Sequence, residues 1–384
     1  MPESLTLAAT GGQGATVLAV LGAALLTLAV LARISTRMRM SPIPLYILGG
    51  LALGWALDPG VSDAIEGTAE LVGIVLLLFM LGIEYTGAEL TGSLKAGVRP
   101  GLVDLVLNVT PGVAMGLVLG WDAPACLALG GATYISSSGI IAKLLDDLGR
   151  IGNRETPAVI SVLVIEDLVM AFYLPILGVV VAGSALAVAA GELGLAVGVA
   201  LLALIIAVKF GRRISRVAHH DSNEVLLLTV LGLVLLVAGV AEQVGVSAAV
   251  GAFLVGIALS GSVAERAGSL IAPLRDLFAA VFFVLFAISI DLGELPGVIA
   301  PAVALAVVTA ITKVATGWYA ARHAGVGKRG RMRAGVSLIA RGEFSIVIAG
   351  LAVAGGVIPT LGPLVAVYVL LLALAGPLLA RLVR

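Results

Sequence analysis

Charge is scarce in this sequence, and positive charge is missing from every second connection along it. Charged residues make up 12% of the 384 and hydrophobic residues 60%, with a mean hydropathy of +1.16. An ordinary soluble domain carries about 25% charged residues, so the chain reads as an all-α polytopic membrane protein. One cysteine, Cys126, excludes a disulfide framework or a cysteine metal cluster. The three histidines, His219, His220 and His323, fall in expected connections, which excludes an intramembrane histidine metal or haem site. No stretch has the composition of a soluble domain. The apolar run over 15–32 lacks a basic segment before it, so it reads as a first span rather than a cleaved signal peptide. A formal net charge of zero implies no particular partner. Membrane lipid is expected, and no nucleic acid.

What charge there is falls into a pattern. Thirteen apolar spans are expected at 15–32, 43–57, 67–84, 100–120, 124–143, 158–182, 190–209, 224–241, 246–262, 273–290, 297–320, 334–355 and 363–381. Alternate connections hold all but two of the 23 basic residues, from Arg33 and Arg37 to Arg381 and Arg384. The others hold none, though they carry Asp58, Asp63, Asp122, Glu192, Asp291 and Glu294. Basic connections stay in the cytoplasm during insertion, which predicts an external N-terminus, a cytoplasmic C-terminus and a multi-pass protein of the cell membrane. Because the chain ends three residues after its last expected span, a cytosolic regulatory domain would reside on a separate subunit. The two exceptions, Lys313 and Arg341, must lie within the membrane, where a buried cation marks a functional-site candidate.

Two spans are poor continuous helices. The fifth contains Thr133-Tyr134-Ile135-Ser136-Ser137-Ser138-Gly139, and the twelfth contains Arg341-Gly342-Glu343-Phe344-Ser345. Polar runs with glycine at membrane depth suggest helix breaks, tolerated only where protein or water satisfies the freed backbone groups. Hydroxyls bonding to their own helices would be the plainer explanation. These spans lie seven apart and so run in opposite directions, which makes spans 4–6 and 11–13 an expected inverted repeat with two crossed broken helices.

Span six carries adjacent carboxylates, Glu166 and Asp167, with seven uncharged residues on each side. Neighbours on a helix point about 100° apart, so one can face a cavity while the other faces a helix. A carboxylate able to hold either a proton or a small cation is the simplest device for exchange. Lys313, mid-way along span eleven, needs a carboxylate partner, with Glu166 or Asp167 the expected choice. It would either occupy a carboxylate until a substrate cation displaces it or simply join the two repeats. Arg341 is permanently charged, which favours a structural role, paired with Glu343 or with Glu155 or Asp147. Asp104 and Asn108, one turn apart in span four, are candidates for lining a cytoplasmic cation funnel, unless Asp104 sits at the interface.

The run Leu76 to Glu84, the Ser136-Ser137-Ser138-Gly139 break, Glu166-Asp167, Phe282-Phe283-Val284 with Ser289-Ile290-Asp291, and Gly342-Glu343-Phe344 together resemble the cation:proton antiporter superfamily. The nearest branch holds bacterial potassium-efflux antiporters and related sodium/proton exchangers, and the resemblance covers essentially the whole chain. It implies a homodimer, with a scaffold (15–57 and 190–290) at the interface and a moving core (67–182 and 297–381). It implies that Asp167 binds the cation and the proton, that Lys313 pairs with Glu166, and that Thr133 to Ser138 and Arg341 to Ser345 are the crossed unwound segments. Relatives carry Asp, Asn or often Gln where this chain has Glu166, so stoichiometry does not transfer.

The expected activity is secondary transport rather than enzymatic: alternating-access exchange of K⁺ for H⁺, with no cofactor. The expected ion-binding residues are Asp167, Glu166, Thr133, Ser136, Ser137 and Ser138, with Lys313, Arg341 and Glu343 as charge-pairing residues. Na⁺/H⁺ exchange, a gated cation channel and an organic-anion transporter of similar fold are the alternatives.

Overall fold

Apolar helices in lipid must satisfy their own backbone, so the two breaks are the places where this fold needs explanation. A computed structural model describes residues 25–38, 40–56, 87–181, 220–243, 248–259, 261–288 and 290–383, with isolated positions at 22, 72, 75, 76, 78–80, 82, 83, 194, 198, 213 and 215. The expected span 190–209 lies almost wholly outside the described residues, as do much of 15–32 and 67–84. Among the described residues the fold is all-helical, and seven helical stretches are long and apolar enough to cross a membrane.

After a helical stretch over 25–37 come α1 (Ile43–Ala56), α2 (Gly87–Val118), α3 (Ala123–Tyr134), α4 (Ser138–Asp147), α5 (Thr156–Val181) and α6 (Asn223–Gln243). Then follow α7 (Ala248–Ala258), α8 (Ser262–Ile288), α9 (Leu295–His323), α10 (Lys328–Ser337), α11 (Glu343–Ala354) and α12 (Leu361–Leu382). Three expected bounds are corrected. The helix expected from 100 begins at Gly87, and the one expected from 273 begins at Ser262, so Arg266 and Arg275 are helical rather than in a loop. Lys328, Arg329, Arg331 and Arg333 likewise lie in α10. In each case a helix runs past its apolar stretch, since lysine, arginine and glutamate are good helix formers.

The inverted repeat takes the form helix, broken helix, helix: α2, α3/α4, α5 and then α9, α10/α11, α12. α3 starts where Asp122 accepts the Ala125 N–H at 3.0 Å, with Pro124 in the first turn. It ends at Ile135 in extended backbone, and Ser137 restarts the chain by accepting the Ile140 N–H at 3.3 Å. The Ser137 N–H donates to the Ala340 carbonyl at 3.0 Å, so the two breaks cross in contact. A side chain at Gly342 would come within 2.7 Å of the Ser137 Cβ, and glycine lets the strands cross there. A Cβ on Gly317 of α9 would lie 2.6 Å from the Gly335 Cα, which brings α10 close against its neighbour.

α2 packs on α3, α5 and α9, and α9 on α10 and α12, with α11 inserted between α3 and α12. α1 and α8 pack together, as do α6 and α7. The Phe282, Phe283 and Phe286 side chains of α8 belong to one buried cluster with residues of α3, α11 and α12.

Candidate functional site

The crossing leaves four half-helix ends inside the protein, each with unsatisfied backbone groups and a partial charge. The fully buried Arg341 guanidinium serves the two C-terminal, electronegative ends. It donates to Thr133 O (3.0 Å) at the end of α3 and to Leu338 O (3.1 Å) and Ile339 O (3.2 Å) past the end of α10. Its other donors reach the Tyr368 hydroxyl at 3.1 Å and the Ser136 Oγ at 3.4 Å. The expected pairing of Arg341 with Glu343, Glu155 or Asp147 is therefore corrected: carbonyl dipoles supply the negative charge. Glu343 instead sits at the first turn of α11, where its Oε2 accepts from the Ser137 Oγ at 2.8 Å, beside the start of α4. A carboxylate thus lies at the two electropositive ends, as helix electrostatics favours.

Glu166 and Asp167 lie on α5, both buried. Glu166 accepts the Ser136 backbone N–H at one oxygen, and its other oxygen lies 3.1 Å from the Ser136 Oγ. Lys313 Nζ, from α9, donates to that second oxygen at 2.8 Å. The expected Lys313–Glu166 contact is present, but it is not the lysine's main anchor. Lys313 Nζ also donates to both Asp104 oxygens, at 2.9 and 2.8 Å. All three side chains are fully buried.

This corrects the expectation for Asp104 and Asn108, which do not line a cytoplasmic funnel. Asn108 donates to Asp104 Oδ1 at 2.8 Å and accepts from the Thr312 hydroxyl at 2.7 Å, forming a polar seam between α2 and α9. Because α2 starts thirteen residues before the expected 100, Asp104 lies well inside it rather than near its end.

Thr133 spends its hydroxyl on the Asn108 carbonyl at 2.8 Å, and Ser345 donates to the Ala132 carbonyl at 2.8 Å. Ser138 opens a cavity of about 540 Å³ that Glu343, Lys143, Tyr46, Arg275 and Asp276 also line. The structure thus brings Thr133, Ser136, Glu166, Lys313, Arg341, Asp104 and Asn108 into one bonded network. Ser137 and Glu343 form a second contact on the other side of the crossing. Sequence reasoning missed Thr309, Thr312 and Thr316 of α9 and Tyr368 of α12; the spacing of Thr309 and Thr316 around Lys313 was a signal for those two, and Tyr368 had none. Beyond the spans, the connection before α5 is tied down where Arg150 Nη2 donates to Val383 O at 2.6 Å. Burial, with the nearby Arg333 charge, pulls the Arg150 guanidinium pKa down.

Such a site can hold one small cation or proton among carboxylates, hydroxyls and freed carbonyls. The family described as sodium/hydrogen exchanger, transmembrane, matches residues 23–384. The K(+)/H(+) antiporter subunit KhtU of Bacillus subtilis is 33% identical over 94% of this chain and 92% of its own length. The ammonium/H(+) antiporter subunit AmhT of Alkalihalophilus pseudofirmus is 34% identical over 86% of this chain and 85% of its own length. In fold, the chain is similar to the sodium proton antiporter MjNhaP1 of Methanocaldococcus jannaschii, with a TM-score of 0.71 at 18% identity, covering 95% of each chain.

Proposed function

We propose that this chain, which belongs to the sodium/hydrogen exchanger family, is a cation:proton antiporter that exchanges K⁺ for H⁺ by alternating access. The observation that carries the reading is the buried Glu166–Asp167 pair beside two crossed helix breaks, with Lys313 already committed to Asp104 and Glu166. Asp167 is the residue assigned to the transported ion, with oxygens of the α3/α4 break as its expected further ligands. Exposed to low proton activity, Asp167 loses its proton and takes the cation; re-exposed on the other side, it gives up the cation to a proton. The core (α2–α5 and α9–α12) would carry this site past the scaffold built on α1 and α6–α8. In support of that division, residues of α1, α4, α8 and α11 together line the 540 Å³ cavity that Glu343 and Arg275 share.

Charge counting favours one-for-one exchange. Fully ionised, the network has the carboxylates of Asp104, Glu166 and Asp167 against Lys313 and Arg341. One monovalent cation or one proton neutralises the remainder, so both loaded forms carry the same charge. K⁺ as substrate is supported by the relative named a K(+)/H(+) antiporter subunit; Na⁺ is the second reading, supported by the likeness in fold to a sodium proton antiporter. That same relative is named as a subunit, which supports a separate regulatory partner in the cytosol, and a homodimer joined through the scaffold is part of the reading. The protein would sit in the cell membrane with its basic connections inside.

The test is recovery of a pH-dye signal in proteoliposomes on addition of K⁺, Na⁺, Rb⁺ or Li⁺. K⁺ should give the largest recovery, at a rate independent of an imposed membrane potential. No proton movement with any of these cations would refute exchange, and a potential-dependent rate would refute the one-for-one count.

A further inference from the structure

Tyr134 closes α3 at the edge of the break, and its side chain is fully buried. Its ring lies under the Lys313 ammonium, with Nζ 5.4 Å from the centroid. Its hydroxyl has no hydrogen-bond partner among the described residues. Asp104, Glu166 and Asp167 all lie within electrostatic reach of that hydroxyl. The neighbouring polar groups are otherwise well used. Ser136 bonds Glu166, Thr133 bonds Asn108, Tyr368 bonds Thr309 and Arg341, and Asn108 bonds Asp104 and Thr312. A phenol placed at membrane depth without a partner is unfavourable, and phenylalanine would fill the same space without that cost. Cation–π contact with Lys313 needs only the ring, so it does not account for the oxygen.

We propose that the Tyr134 hydroxyl oxygen is a ligand of the transported monovalent cation. This rests on the antiporter reading and extends it to a residue outside the acid pair. A phenol oxygen offers lone pairs without adding a charge, so it can help replace a cation's hydration shell without changing the charge carried per cycle. Its place at the last turn of α3, held by the ring against Lys313, fixes the oxygen in position. Tyr134 would therefore set affinity and the discrimination between cations, while Asp167 supplies the charge.

Tyr134→Phe removes one oxygen and nothing else, and the test compares it with wild type in two measurements. The first is thermal unfolding of detergent-purified protein without and with K⁺, Na⁺ or Rb⁺. The second is the cation dependence of exchange in proteoliposomes. Without cation, Tyr134→Phe should unfold at the same temperature as wild type or higher, since no protein bond is lost. With cation, it should gain less stabilisation than wild type. Its apparent KM for the preferred cation should rise roughly three- to tenfold, as expected for one lost polar contact, with maximal rate nearly unchanged and the order of cation preference altered. Equal destabilisation with and without cation would show that the hydroxyl is structural and overturn the proposal. So would an unchanged KM with unchanged cation stabilisation. If wild type itself shows neither exchange nor cation stabilisation, the antiporter reading fails first. If wild type shows both and Tyr134→Phe matches it, only the assignment of Tyr134 fails.

Discussion

Replacing Lys313 with alanine should weaken the protein in proportion to pH. In the native protein one ammonium holds two fully buried carboxylates, Asp104 through both oxygens and Glu166 through one. Removing one member of a buried ion pair costs on the order of 3–5 kcal/mol in soluble proteins, and here two carboxylates lose their partner at once. Some compensation remains: Asp104 keeps the Asn108 amide, and Glu166 keeps the Ser136 N–H and hydroxyl. A protonated carboxyl needs no counter-ion, so the folded variant takes up a proton that the unfolded chain does not hold at the same pH. Stability then rises as pH falls, by up to about 1.4 kcal/mol per unit for each such proton. The deficit against wild type should therefore be largest near pH 8 and shrink by pH 5, read as unfolding temperature in detergent by intrinsic tryptophan fluorescence. The triple change Lys313→Met, Asp104→Asn and Glu166→Gln should recover much of the loss at high pH, because it removes the three charges of the cluster together. A deficit that stays constant from pH 5 to 8, or a triple variant no better than Lys313→Ala, would refute the account of this cluster.

Arg341→Gln should lower folded yield and unfolding temperature more than Glu343→Gln, because it strands carbonyls at two half-helix ends; equal effects, measured by size-exclusion yield and thermal unfolding, would argue against the dipole role. Glu166→Gln should still exchange, with a displaced pH optimum, because Asp104 continues to hold Lys313 and Asp167 is untouched; complete loss of dye recovery across pH 6–9 in well-folded protein would make Glu166 essential instead.

How far the sequence anticipates this arrangement depends on whether the signal is local. The breaks were legible because hydroxyls and glycine are out of place in an apolar helix, and both fall close to where Thr133–Gly139 and Arg341–Ser345 suggested. The second break is displaced by three residues, to 338–342, since Glu343 and Ser345 can serve the first turn of α11. Lys313 was legible as a cation needing an acid, and Glu166 as one of its partners. Asp104 was not, because its depth depends on where α2 begins, and hydropathy does not register the helix preceding the apolar run. Its four-residue spacing from Asn108 was the available clue to a polar face. The partners of Arg341 were hidden for a different reason: backbone carbonyls carry no sequence signature, and a guanidinium within the membrane suggests a carboxylate until half-helix ends are seen around it.

The central claim is that Asp167 alternately carries a cation and a proton. It is tested most directly by reconstituting wild type and Asp167→Asn side by side and following internal pH on addition of K⁺ or Na⁺ to an imposed proton gradient. Wild type should collapse the gradient with at least one of the two ions, while folded, correctly inserted Asp167→Asn should leave it intact, since asparagine binds neither a proton nor a cation by charge. An Asp167→Asn protein that collapses the gradient at a rate comparable to wild type would contradict the assignment.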